Sequence, residues 1–157
     1  MAGKTHAYHV DVEWTGNDGQ GAKSYTGYRR DHVIRAEGNP DIPGSSDPNF
    51  RGDPARWNPE ELLVASLSAC HKLWCLHLCS VAGLVVQTYV DHAEGVMEET
   101  GDGSGRFTRV ILHPDITLSA GDPSKLDAIH HEAHAKCFIA NSVNFPVTVE
   151  GTVSVVA

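Results

Sequence analysis

Asn58-Pro-Glu-Glu-Leu-Leu-Val-Ala-Ser-Leu-Ser-Ala-Cys70-His-Lys-Leu-Trp-Cys75-Leu-His-Leu-Cys79-Ser-Val-Ala-Gly83 is the stretch on which the fold turns. It opens with a residue suited to cap a helix, a proline at the first helical position and two glutamates in the first turn. It closes on a glycine able to adopt the left-handed conformation that ends a helix. Between Leu62 and Ala82 the only charged residue is Lys72. A helix apolar nearly all round is a buried one, so this helix is expected to be the spine of the fold.

Outward from the helix, the chain alternates turn signals with short apolar runs. Upstream, Tyr8, Val10, Val12 and Trp14 alternate with polar residues and predict a half-buried strand over 6–14. A glycine- and asparagine-rich turn over 16–21 follows, then strands over 22–29 and 32–36. Residues 38–57 hold Pro40, Pro43 and Pro54 without apolar periodicity, and read as a long ordered loop rather than a linker. Downstream, strands are expected over 84–97 and 106–118, a second helix from Asp122-Pro123, and a closing strand over 147–155. Leu126, Ile129, Ala133 and Cys137 recur at helical spacing on one face of that second helix. The expectation is a single α+β domain spanning 1–157, with antiparallel strands around its helices.

Composition limits what such a domain does. The 12 Lys plus Arg stand against 20 Asp plus Glu, a net charge of −8, which argues against nucleic acid because phosphate binding needs clustered cations. With 41% hydrophobic and 20% charged residues the chain is expected to fold rather than stay disordered. No apolar run approaches the ~18 residues a membrane span needs, and no leader is evident, so a cytoplasmic protein without membrane contact is expected. In that compartment four cysteines are reactive or metal-binding more often than bridged.

His71, Cys75 and Cys79 fall at i, i+4 and i+8, but they span about 12 Å along a helix, too far for one zinc ion to bond all three. At most His71 and Cys75 could share a metal, with help from His130, His131 or His134. Cys75 and Cys79 are expected to be core.

The stretch from Asn58 to His71 resembles the signature helix of the OsmC/Ohr family of thiol peroxidases. The segment Ala133-His-Ala-Lys-Cys137-Phe-Ile-Ala-Asn-Ser142 resembles that family's second cysteine motif, and the two cysteines lie 67 residues apart. The order of elements matches over nearly the whole chain.

This resemblance implies an OsmC-like fold in an intertwined homodimer, and a peroxidase in which Cys70 attacks an organic hydroperoxide. Cys137 then condenses with the sulfenic acid, and a small thiol or dithiol reduces the disulfide, with no further cofactor or metal. The family's glutamate falls on Glu60. The activating arginine falls first on Arg35, in Val33-Ile-Arg35-Ala-Glu-Gly38, with Arg51, in Asn49-Phe-Arg51-Gly-Asp53, as its rival. Leu67, Leu73, Trp74 and Phe138 are candidate pocket walls. The alternatives are a binder of small apolar ligands and a redox or metal sensor of the same fold.

Overall fold

The helix begins as a reciprocal pair of hydrogen bonds. The Glu61 N–H donates to Asn58 Oδ1 at 2.8 Å and the Asn58 N–H donates to Glu61 Oε2 at 3.2 Å, so a capping box satisfies two orphan donors. The helix, α1 (Pro59–Val81), ends where Leu84 N bonds to Cys79 O and Gly83 N to Ser80 O, with Gly83 at φ 79°. This is a Schellman stop, possible there because glycine tolerates the left-handed backbone.

The computed structural model describes residues 3–157, which divide into two compact units, 3–62 and 63–157. In the first unit β1 (Asp11–Trp14), β2 (His32–Arg35) and β3 (Ile42–Gly44) form an antiparallel sheet in that order. The expected first strand is shorter and β1 is exposed along its length. The strand expected over 22–29 is absent. Arg30 donates to the Tyr25 and Tyr28 carbonyls, and Gly27 N bonds to Ser24 O, which folds the segment into turns. The long 38–57 segment is ordered and contains β3 and a short 3-10 turn at Pro48–Phe50.

The second unit carries the remainder of α1, then β4 (Val85–Asp91), β5 (Glu94–Glu99), β6 (Gly105–Leu112) and β7 (Pro114–Ala120). α2 (Leu126–Lys136) follows, then β8 (Val147–Val149) and β9 (Thr152–Val155). Each long strand expected here is two strands, and the halves separate into one sheet ordered β4-β7-β9 and another ordered β5-β6-β8. The breaks adjoin one another: His92 N bonds to His113 O, Glu150 N to Leu112 O, and Asp91 Oδ1 accepts the His113 N–H at 2.7 Å. The closing strands pair parallel, β8 with β6 and β9 with β7, because α2 serves as the crossover.

α1 buries one stripe, Leu67, His71, Cys75, Leu78 and Cys79, rather than its whole circumference. Cys75, Leu78 and Cys79 pack with Ile116 and Leu118 of β7 and with Leu126, Ile129 and Ala133 of α2. Leu67 joins Val110 and Leu112 in a second cluster. Leu73 and Val81, at 63% and 71% exposure, face outward, so within the chain the spine is half covered. By length and composition α1, with a mean hydropathy of 1.4, is long and apolar enough to cross a membrane, contrary to the expectation that no run reaches that length. Its buried stripe is occupied by sheet and α2 side chains.

Candidate functional site

Two helices bring Cys70 and Cys137 together. α1 presents Cys70 half-buried, one turn beyond Ser66. Cys137 caps the end of α2 with extended backbone at φ −68°, ψ 112°, and its N–H returns to His134 O at 3.2 Å. The turn beyond is closed by Asn141 N to Cys137 O, and Ala140 N reaches Cys137 Sγ at 3.4 Å. All four cysteines are free thiols. Burial pushes the Cys137 thiol up to about 11, and the neighbouring Cys70 sulfur adds to the rise. A thiol raised this far keeps its proton at neutral pH.

The surround is apolar and partly open. Trp74 and Phe138 meet edge to face with centroids 6.1 Å apart, and Lys136 Nζ lies 5.5 Å from the Trp74 ring while pairing with Glu132 at 2.5 Å. Leu73, Trp74 and His77 line a shallow cleft of about 270 Å³. Of the expected walls Leu67 is core, 1% exposed, whereas Phe138 at 70% is open.

Cys75 and Cys79 are fully buried one turn apart, and each thiol's neighbour shifts it, raising Cys75 and lowering Cys79. Beside them stands a pair that the sequence offered only as one of three options around a metal. His71 Nε2 lies 3.0 Å from His130 Nδ1, and His130 Nδ1 lies 3.9 Å from Cys75 Sγ. The signal was the i, i+4 spacing of His71 and Cys75, and it left His130, His131 and His134 open as the partner, of which the structure places His130 there as a hydrogen-bond partner. Among the described residues no three His, Cys, Asp or Glu side chains are placed to hold a metal ion.

The remaining candidates belong to the first unit. Arg35 is held by Glu13 Oε2 at 2.6 Å and Asp41 Oδ2 at 3.3 Å, which raises its pKa. Arg29 pairs with Asp18 and Asp31, and Arg56 with Asp31 and Asp53. Among the described residues Arg51 has no carboxylate partner; its guanidinium lies 5.9 Å from the Tyr25 ring. Arg51 caps the Pro48–Phe50 turn at φ 67°, the only positive φ at a non-glycine residue among those described. The loop is fixed there because a Cβ on the next residue, Gly52, would lie 1.5 Å from Ser46 O. Glu60 Oε2 is buried without a hydrogen-bond partner.

The family described as OsmC-like protein matches residues 52–151. An OsmC-like protein of unknown function from Vibrio cholerae is 31% identical, with a TM-score of 0.82 over 94% of this chain and 100% of its own. Organic hydroperoxide resistance proteins from Legionella pneumophila and Elizabethkingia anophelis are each 19% identical. They cover 96% of this chain and 99% of their own, with TM-scores of 0.66 and 0.65, a likeness of fold. No curated protein matches the chain.

Proposed function

The chain belongs to the OsmC-like family, and on that premise we propose that it is a thiol peroxidase that reduces organic hydroperoxides at Cys70. The observation that carries this reading is the juxtaposition of Cys70 on α1 with Cys137 at the end of α2, both as free thiols, the Cys137 thiol raised by burial and by its Cys70 neighbour. The Cys70 thiolate attacks the O–O bond, forming sulfenic acid while the alkoxide leaves and takes a proton to become the alcohol. Cys137 then displaces water from that sulfenic acid, closing the disulfide. A small dithiol reopens it, taking up the oxidation itself.

Organic substrates suit an apolar cleft beside Trp74 and Phe138 better than hydrated hydrogen peroxide does. A thiolate in such surroundings needs a cation. Of the two arginine candidates, Arg35 already serves two carboxylates and Arg51 none among the described residues. A non-glycine residue held at positive φ is the kind of local strain found at functional positions. The unpartnered Glu60 oxygen is a natural acceptor for that arginine. A second copy of the chain would cover the exposed Leu73 and Val81 face of α1, which is the homodimer reading.

The test is consumption of cumene hydroperoxide with a dithiol reductant by the wild type, Cys70→Ser and Cys137→Ser. Loss of turnover in Cys70→Ser supports the peroxidase. Turnover as fast as wild type in that variant overturns it and favours a binder of apolar ligands. Dithiol-driven turnover undiminished in Cys137→Ser removes the resolving role.

A further inference from the structure

Two imidazoles that this redox chemistry does not use sit between the two helices that carry its cysteines. His71, on α1 directly after Cys70, is 1% exposed, and His130, on α2 two turns before Cys137, is 9% exposed. Their ring centroids are 5.2 Å apart, their planes differ by 15°, and Nε2 of one is 3.0 Å from Nδ1 of the other. With planes so nearly parallel and centroids so much farther apart than the two nitrogens, the rings meet edge to edge in an in-plane N–H···N hydrogen bond, not face to face.

Its direction follows from the nitrogen left over. His71 Nδ1 is buried with no partner. An orphaned N–H is rarer in proteins than an under-satisfied acceptor, so that nitrogen carries the lone pair. His71 Nε2–H therefore donates to His130 Nδ1, and the His130 proton sits on Nε2. That atom lies near Gly151, in a cavity of about 320 Å³ lined also by Asp127, His131, His134 and Thr148. Each imidazole is neutral in this arrangement.

An added proton has no comfortable place. On His71 Nδ1 it would be an unpaired buried donor, and a second proton on the pair would remove the lone pair that accepts the hydrogen bond. The groups that bear on the pair are few. From α1 there are Cys75 and, through it, Cys79. From α2, Asp127 favours charge on His130, while His134 disfavours charge on His71. From β4, Asp91 favours charge on His130. Burial is the largest cause in both imidazoles and lowers both, taking His71 from 6.5 to about 4.

We propose that the His71–His130 hydrogen bond is a clasp that holds the helix of Cys137 against the helix of Cys70, and that mild acid opens it and slows closure of the Cys70–Cys137 disulfide. The two histidines are positioning residues: they act on the reaction through the placement of Cys137. The importance of that disulfide rests on the peroxidase reading, but the clasp does not. The sign follows from the lowered His71. The docked arrangement has its full advantage above pH 6.5 and loses it as pH falls toward 4.

The experiment follows disulfide closure in the full chain at pH 4.5–8, with diamide as oxidant. The two thiols give two electrons and two protons to the diazene, leaving a hydrazine, and the Cys70–Cys137 peptide is quantified by mass spectrometry. His71→Gln places an amide nitrogen where the bonded Nε2 lies and keeps a donor toward His130, and the double variant His71→Gln/His130→Asn replaces the second imidazole as well, so neither amide variant retains the His71 titration. Thiolate content falls with pH in every variant, so the comparison of slopes is the readout. The wild type is expected to lose roughly tenfold more closure rate than either amide variant between pH 7 and 4.5. His71→Phe, which breaks the clasp at any pH, is expected to close slowly even at pH 7.

Equal slopes in wild type and amide variants overturn the proposal, as does wild-type closure in a folded His71→Phe. Should His71→Phe fail to fold, the amide variants decide alone. A parallel series with cumene hydroperoxide separates the two ideas. No peroxide oxidation of Cys70 at any pH, together with the expected diamide slopes, removes the peroxidase and leaves the clasp standing.

Discussion

The chain holds two pairs of neighbouring thiols with opposite characters. Cys75 and Cys79 are one turn apart on α1, both fully buried, in a dry cluster with Ile116, Leu118, Ile129 and Ala133. Cys70 and Cys137 come from two helices, and Cys70 is reachable from solvent. The two pairs show that proximity of two sulfurs does not itself give them the same surroundings. What differs is access and origin: Cys70 is partly open and meets a cysteine from the end of another helix, whereas Cys75 and Cys79 are fully buried on one helix.

This contrast breaks most easily under alkylation. Iodoacetamide is expected to label Cys70 in the native state, while Cys75 and Cys79 wait for the core to open. Core opening costs several kcal/mol, so their labelling is expected to lag by ~10³-fold or more. A mass-spectrometric time course reads this, and equal rates at Cys70 and Cys75 would erase the distinction. The next effect sharpens it. Leu118→Ala cuts a fully buried side chain out of the cluster around Cys75 and is expected to cost about 2–5 kcal/mol in urea unfolding. Labelling of Cys75 then accelerates, while Cys70 keeps its rate.

How much of this was legible beforehand depends on whether the cause is local. Both ends of α1 could be read from a few adjacent residues, because the Asn58–Glu61 box and the Gly83 stop are local chemistry. The breaks at His92-Ala93, His113 and Glu150-Gly151 could not. They are set by hydrogen bonds between distant segments, such as Asp91 to His113 N and Glu150 N to Leu112 O. The lost strand over 22–29 is similar, since Arg30 reaching back to two tyrosine carbonyls overrides alternation. In the site, periodicity placed Cys137 on the buried face of α2, but its pairing with Cys70 came only from family resemblance. The His71–His130 contact joins residues 59 apart, so local pattern reached only a choice among His130, His131 and His134.

Alkali separates the pairs by a smaller amount. Cys137 is raised from 9.0 to about 11, so the folded chain holds a proton that the unfolded chain releases first. Stability from this thiol is present below pH 9 and is lost as pH rises toward 11, about 2–3 kcal/mol for a nearly buried group. Cys75 and Tyr89, both raised by burial among other causes, work in the same direction. Urea midpoints measured at pH 8 and 10.5 are expected to fall in the wild type and to fall less in Cys137→Ala. An identical drop in the two would assign the alkaline loss to the closed region alone.

The smallest expected effect tests whether the two pairs share one cooperative helix. Asn58→Ala removes the side-chain half of the capping box, leaving Glu61 N–H without its 2.8 Å acceptor. Loss of such a cap costs about 1 kcal/mol. Fraying at the first turn lies three turns before Cys70 and more than four before Cys75, and helix ends open without the middle. Stability is therefore expected to drop by about that 1 kcal/mol while the ratio of Cys70 to Cys75 labelling stays within a factor of two or so. A large gain in Cys75 labelling from this remote change would mean that α1 opens as a whole. The contrast between the pairs would then be one of solvent exposure alone, with no difference in local stability behind it.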